Sequence, residues 1–338
     1  RLEEPGMALA YAVFIAGLCQ LIFQVPFLMR IRALPRPKWG LQHEGVRRVT
    51  RLMLPAIFGS SVAQINVLLG GIIASMLGVG KISLLYYSDR LMEFPLGLFG
   101  IALATVTLPY LARQAANDSL DEFADTLDWS MKLVLLIAVP AAIGLIVLAE
   151  PLVATIFYGG VFTSEDVRMT ALALQAFAVG LIGFSYVKIL APAYFAREDT
   201  RTPVRIGLIA LAVNFVLSVT LAWYLTRIGF AGTHAGLALA ISVAALLNAF
   251  LLYRGLRREG VVRHGTGWAA LLFRTAVANF VMTAALVALQ RPLSWWLESG
   301  IFERVTWLAA AILVGVGAYF LALFLLGMRT ADFRLRQG

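Results

Sequence analysis

Residues 305–327 read VTWLAAAILVGVGAYFLALFLLG, twenty-three residues without one charge. A helix needs about 20 mostly apolar residues to cross the roughly 30 Å hydrocarbon core of a bilayer, so this segment is long enough to span a membrane. Eight more such stretches precede it, at 7–29, 52–78, 84–111, 133–157, 167–195, 203–226, 232–253 and 268–289. Their spacing predicts an all-α integral membrane protein with about nine transmembrane helices.

Composition points the same way. Of 338 residues, 60% are hydrophobic and 14% charged, with a mean hydropathy of +0.83, whereas a soluble domain carries about 25% charged residues. Membrane barrels are written in segments of about ten residues with alternating polarity, and no such segments occur here.

Positive residues collect on the cytoplasmic side of membrane proteins, so their distribution sets the orientation. Alternate loops, beginning with Arg30, Arg32, Arg36, Lys38, Arg47, Arg48 and Arg51 and ending with Arg329, Arg334 and Arg336, hold twenty Lys and Arg. The opposite loops hold six: Arg1, Lys81, Arg168, Arg227, Arg291 and Arg304. The C-terminus is therefore expected in the cytoplasm. The net charge of +9 follows from topology and from contact with anionic inner-leaflet lipid, so it gives no reason to expect nucleic-acid binding.

The single cysteine, Cys19, lies within the first apolar stretch and reads as a small buried hydrophobe, with no disulfide framework and no CxxC site. The three histidines, His43, His234 and His264, read as widely separated loop residues, and no metal site or cofactor is expected. The start at Arg1-Leu-Glu-Glu-Pro5 has no initiator Met and no signal-peptide pattern, which leads us to expect a preceding N-terminal part.

Two loops show structure of their own. Ser119 with Glu122 reads as a capping box, and Leu120, Phe123 and Leu127 recur at helical spacing, as in a short amphipathic helix on the cytoplasmic interface or a solvated connector. Trp295 and Trp296 read as part of an outer aromatic belt. A short echo, Pro109-Tyr-Leu-Ala-Arg113 against Pro192-Ala-Tyr-Phe-Ala-Arg197, hints at an internal repeat.

A charge at the centre of a span costs roughly 2.5 to 3.5 kcal/mol on insertion scales, so each one needs a reason. The clearest group is Asp89-Arg90-Leu-Met-Glu93-Phe-Pro95. Arg90 and Glu93, three residues apart, share a helix face. They form either an intrahelical ion pair that keeps both charges in the bundle, or a site where Arg90 faces a water-filled cavity and binds anionic substrate while Glu93 orients it. An arginine suits phosphate because its planar fork donates two hydrogen bonds at once. Lys188 either snorkels to the cytoplasmic interface or lines the cavity entrance. Asp89, Lys188, Asn66 and Asn214 are the further candidates for a cavity or gate, with interhelical hydrogen bonding the alternative role for the asparagines and for Gln64. Pro95, Pro140 and Pro192 each remove a helix hydrogen bond and mark expected kinks. No Walker A, HExxH or GxSxG pattern is present, so nucleotide hydrolysis and the familiar hydrolase sites are not expected.

The run Tyr86-Tyr-Ser-Asp-Arg-Leu-Met-Glu-Phe-Pro95, with the following Leu-Gly-Leu-Phe-Gly-Ile-Ala-Leu-Ala-Thr-Val-Thr-Leu-Pro109, closely resembles the MurJ (MviN) lipid II flippases of the multidrug/oligosaccharidyl-lipid/polysaccharide exporter superfamily. Gly183, Val187-Lys-Ile-Leu-Ala-Pro192 and Arg197-Glu-Asp-Thr-Arg-Thr-Pro203 extend the resemblance. It implies two six-helix lobes around a cationic cavity, plus two helices that form a groove for a polyprenyl tail. Residues 1–51 would hold the last helix of the first lobe and a basic cytoplasmic linker, 52–257 the second lobe, and 258–338 the two additional helices and cytoplasmic tail. Arg90 and Glu93 match the arginine and glutamate of the family's second-lobe cavity. A sodium site found in some members uses an aspartate in the helix that opens the second lobe, and no acidic residue occurs between Arg51 and Lys81, so that site is not carried over.

The function implied is alternating-access flipping of lipid II, an undecaprenyl diphosphate bearing a disaccharide-pentapeptide, from the cytoplasmic to the outer leaflet of the bacterial inner membrane. On this reading the protein is a transporter and not an enzyme, its partners are lipid II and membrane lipids, and its coupling ion is unidentified. The nearest rival keeps the fold and exports another polysaccharide-lipid intermediate. A membrane-embedded glycan-transfer enzyme would want carboxylates or histidines clustered in long outer loops, and a noncatalytic scaffold would leave Arg90 no cavity to face.

Overall fold

The computed structural model describes residues 5–31, 44–78, 80–117, 119–262 and 267–329. Most of these residues are helical, and among them there is no strand beyond the isolated bridge Gly159 to Phe162. In chain order the helices are α1 (Pro5–Arg30), α2 (Glu44–Met76), α3 (Lys81–Pro95), a π-helical segment (Leu96–Ile101), α4 (Ala102–Ala116), α5 (Leu120–Val147), α6 (Ala149–Phe157), α7 (Ser164–Ala196), α8 (Arg201–Arg227), α9 (Thr233–Arg258), α10 (Trp268–Ala288), α11 (Leu293–Glu298) and α12 (Ile301–Leu325).

Seven helices among the described residues are long and apolar enough to cross a membrane: α1 from Tyr11, α5, α7, α8, α9, α10 and α12. The other two expected spans have a different form. The apolar part of α2 is the shorter Gln64–Met76, and the stretch from Lys81 to Ala116 is divided by its π-helical segment.

The chain divides into two compact units, Arg1–Leu54 and Pro55–Gly338. In the first, the described side chains of α1 from Tyr11 onward are exposed except for the half-buried Val25 and Leu28. Cys19 is exposed as well, which corrects the expectation that it is buried.

In the second unit α7 is central, packed against α9, α5, α3 and α4, with α8 on α9 and α10 on α12 and α5. Small residues let α7 and α9 approach closely, as in other membrane bundles. A Cβ on Gly180 would sit 2.6 Å from the Ser242 hydroxyl, and one on Gly183 would sit 2.6 Å from the Leu246 backbone nitrogen. Ser242 Oγ donates across the same seam to the Ala176 carbonyl at 2.7 Å. Apolar side chains on the outer surface, such as Phe280, Leu313 and Phe324, are exposed, as a hydrocarbon solvent permits.

Several expected local features are corrected. The fourth span begins earlier than 133, because α5 runs unbroken from Leu120 to Val147, and α6 follows after Leu148. Pro151 falls in the first turn of α6, where its missing N–H has no helical partner to lose. The expected interfacial helix is simply the start of α5: Phe123 and Leu127 are buried with Leu111, Tyr194 and Leu256, so this face packs on protein rather than on lipid. Ser119 is its N-cap without a side-chain hydrogen bond. A capping box does form at Thr163 and Asp166, opening α7. His234 is not in a loop but near the start of α9, fully buried, with Nε2 2.9 Å from the Met169 carbonyl; His43 and His264 lie outside the described residues. Trp296 is 2% exposed, tucked into the core beside Val153 and Leu308 instead of facing headgroups.

Candidate functional site

The helix α3 has two faces. Leu84, Ser88 and Met92, spaced by four, are buried, and Ser88 Oγ lies 2.8 Å from the Thr170 carbonyl of α7. The other face carries Tyr86, Arg90, Glu93 and Phe94, all exposed. Arg90 donates from Nη1 to Glu93 Oε2 at 2.7 Å, with the two side chains 52% and 48% exposed. The guanidinium also lies over the Tyr86 ring, 4.9 Å from its centroid, a cation–π contact. Ring and carboxylate together fix the plane of a cation that remains open on one side. Asp89 is half-buried next to it. The ion pair of the first reading therefore forms, with both side chains about half exposed.

Pro95 closes α3, and the π-helical segment begins at the next residue. Proline supplies no N–H to the helix ladder and its ring crowds the carbonyl four residues back, while π-turns are frequent at functional sites. Gly100 within this segment is buried and faces Lys188: a Cβ added there would lie 3.0 Å from Lys188 Cδ and 3.8 Å from Cε. The half-buried Lys188 stem thus crosses the segment in the notch that a glycine leaves. Arg90 and Lys188 do not meet, since Gly100 is ten residues from Arg90, or about 15 Å at the rise of a helix.

Asn66 and Asn214 are brought together. Asn214 Nδ2 donates to Asn66 Oδ1 across α2 and α8, and Ser218 Oγ donates to Asn214 Oδ1 at 3.3 Å. Gln64 is exposed. Pro140 lies inside α5 and Pro192 inside α7. At the end of the bundle where α7 leaves and α8 begins, Arg197 pairs with Glu259. Asp199 accepts from the N–H groups of Arg201 and Thr202, each at 3.0 Å. Burial acts to raise the Asp199 carboxyl, but hydrogen bonds from Thr202 and Arg201 and the Arg197 charge outweigh it and hold it below the usual carboxylate range. No group of three or more His, Cys, Asp or Glu that could hold a metal ion occurs among the described residues.

Three polar arrangements were not foreseen. Arg304, counted from sequence as an outer-loop charge, is 8% exposed. Its guanidinium donates to the carbonyls of Ser299 at 2.9 Å, Leu297 at 3.0 Å and Ala154 at 3.3 Å and lies over Tyr158. Asp128 is buried and accepts from Trp268 Nε1 at 2.7 Å and from Lys132 at 2.7 Å, tying the start of α10 to α5. Neither set of partners is near in sequence throughout, so no local spacing announced them. The stacking of Arg90 on Tyr86 did have a signal, because the two are four residues apart.

Comparison with known proteins shows the family of this chain. The family model for the lipid II flippase MurJ matches residues 1–305. The chain is 45% identical over 334 residues to the probable lipid II flippase MurJ of Vibrio cholerae, covering 99% of this chain and 62% of that protein. It is 43% identical over 335 residues to the probable lipid II flippase MurJ of Haemophilus influenzae, covering 97% and 64%. This chain therefore spans less than two thirds of the length of these relatives. Among solved structures, the fold is similar to that of a lipid II flippase MurJ in an inward closed conformation, with a TM-score of 0.67 at 22% identity, over 88% of this chain and 58% of the other. On the strength of the family match, this multi-pass membrane chain belongs to the MurJ lipid II flippase family.

Proposed function

We propose that this chain supplies the second lobe and the two additional helices of a lipid II flippase of the bacterial inner membrane. The whole protein is a transporter that moves the lipid-linked precursor from the cytoplasmic to the outer leaflet by alternating access. The observation that carries this reading is the Arg90 and Glu93 pair, held on an exposed face of α3 at 2.7 Å in a sequence belonging to the MurJ family. A diphosphate and peptide carboxylates cannot cross hydrocarbon unaided, and a cation facing water within the bundle lowers that barrier. One hydrogen bond joins Arg90 to Glu93, and a guanidinium has five N–H donors, so an arriving phosphate can bind without first breaking the pair. Residues 52–257 would form the lobe and 258–338 the appended helices and tail. The twenty-to-six bias of basic residues supports a cytoplasmic C-terminus. Pro95, Pro140 and Pro192 are proposed bending points for the exchange of access, and Asp89, Asn66 and Asn214 polar groups beside the path.

The test is lipid II exposure at the outer leaflet of cells depleted of their own flippase, comparing the full-length protein with Arg90→Ala and Arg90→Lys at matched membrane abundance. Exposure restored by the parent and lost in both variants supports a forked anion ligand at Arg90. A correctly inserted parent that restores nothing overturns the cargo assignment in favour of another polysaccharide-lipid intermediate.

A further inference from the structure

Arg291 follows the end of α10, where the chain leaves the span and turns into α11. It is exposed, yet its guanidinium is held over two indole rings, 4.6 Å from the Trp307 centroid and 5.9 Å from that of Trp295. The rings belong to α12 and α11, and their own centroids are 6.0 Å apart. The platform beneath is pinned from several sides. Trp307 Nε1 donates to the Leu289 carbonyl at 3.2 Å, Gln290 Nε2 donates to the Val147 carbonyl of α5 at 3.2 Å, and Trp295 packs edge to face against the buried Trp296. Arg227 at the end of α8 offers a contrast: its single ring, Trp223, sits four residues back on the same helix and is 59% exposed.

Stacking uses the faces of a guanidinium and leaves its N–H edge open. No ion pair among the described residues occupies that edge in Arg291. Tryptophans favour the level where an apolar span meets the headgroups, and the anions at that level are lipid phosphates, to which a planar fork donates two hydrogen bonds at once. We propose that Arg291, braced by Trp295 and Trp307, is a lipid-phosphate site at the membrane interface, on the outer side in the orientation given above. Its groups come from the segment after α10, from α11 and from α12, so it uses nothing of the α3 face that presents Arg90. A bilayer phospholipid and a lipid-linked diphosphate both carry the group that the site recognises. The inference takes only its orientation from the flippase reading.

The experiment places the photo-crosslinking residue benzoylphenylalanine at Ser294, an exposed position three residues from Arg291, in the full-length protein. The protein is held in maltoside micelles, which contain no phosphate, and illuminated with radiolabelled phosphatidylglycerol, lipid II or phosphate-free dioleoylglycerol in turn. The expected result is an adduct with at least one of the two phosphate lipids well above that with dioleoylglycerol. Arg291→Gln should lower it about fivefold or more, Arg291→Lys should lower it less because the charge remains without the fork, and Arg227→Gln should leave it unchanged. An adduct with phosphatidylglycerol alone names a bilayer phospholipid as the occupant, and one with lipid II alone names the exported lipid; either supports the site. Adduct yields unaffected by Arg291→Gln, or equal for all three probes, overturn the proposal. So does an equal loss in Arg227→Gln, which would make the effect one of general charge. Arg291 is exposed, so Arg291→Gln should leave the bundle folded, as its unfolding temperature will check. Lipid II exposure in cells is read separately: a parent that restores none sinks the flippase reading and leaves the phosphatidylglycerol arm to decide this one.

Discussion

Two arginines in this bundle show two ways to keep a charge at a membrane. Arg304 is 8% exposed, with Nε, Nη1 and Nη2 each donating to a backbone carbonyl and a tyrosine ring against its face. Arg90 is about half exposed, with one hydrogen bond to Glu93 and a tyrosine ring behind it. The first is enclosed by carbonyls from α6, α11 and the turn before α12, so its charge is used in holding α11 and α12 to α6. The second keeps an open side and spare donors. The donors of the buried arginine are consumed by the fold, whereas the exposed one, braced by a ring and a carboxylate, keeps donors free on its open side, as the proposed anion site requires.

The comparison can be broken first at Arg304. Arg304→Ala removes three charged hydrogen bonds, to the carbonyls of Ser299, Leu297 and Ala154, of which the Ala154 carbonyl still accepts from the Tyr158 N–H. With charged hydrogen bonds contributing about 1.5–3 kcal/mol each and not additively, we expect a loss of about 3 kcal/mol or more, read as a lower unfolding temperature in detergent. Arg304→Lys recovers little, because a point charge cannot reach three divergent carbonyls. Asp128→Ala comes next: it removes the carboxylate that accepts from the Trp268 N–H and the Lys132 ammonium, and thermal unfolding of the purified protein should report a loss of about 2 kcal/mol. Arg90→Ala inverts the pattern. A half-exposed ion pair contributes roughly 0–1 kcal/mol, so unfolding should move by less than about 1 kcal/mol while lipid II exposure is lost. A large destabilisation by Arg90→Ala would erase the distinction between the two arginines.

The smallest expected effect is a pH dependence at Asp199. Its carboxyl is held below its ordinary value, so its contribution to stability is complete above the unfolded pKa of about 3.9 and is lost as pH falls through the lower folded value. Acid unfolding of the parent compared with Asp199→Asn between pH 5 and 2 should show a shallower dependence in the variant.

Seven of the nine expected spans were legible because hydropathy over a membrane length needs no knowledge of neighbours, and the Arg90 and Glu93 pair because three residues of separation places two side chains on one helix face. The start of α5 was misread for a physical reason. Asp121, Glu122, Asp125 and Asp128 lower the hydropathy of a segment whose Phe123 and Leu127 are buried against α4, α7 and α9, so a continuous helix looked like two. The break at Leu148 was hidden because residues on both sides are apolar. The π-helical segment is a change of hydrogen-bond register, which composition does not encode, although Pro95 with Gly97 and Gly100 stood at the spot. Arg304 and His234 were assigned to loops by their nearness to span ends, and their burial depends on Ala154 and Met169, partners far away in sequence.

Solvent access at the two arginines tests the central claim most directly. In a cysteine-free background of the full-length protein, with Cys19→Ser included, Arg90→Cys, Arg304→Cys and Val161→Cys are each exposed to a membrane-impermeant thiol reagent. Val161, 99% exposed, sets the rate for a fully open site. We predict that Arg90→Cys labels within about tenfold of Val161→Cys and is protected by lipid II, while Arg304→Cys stays unlabelled. Labelling at position 90 no faster than at position 304 would contradict the account, because Arg90 would then face no water for a substrate to replace.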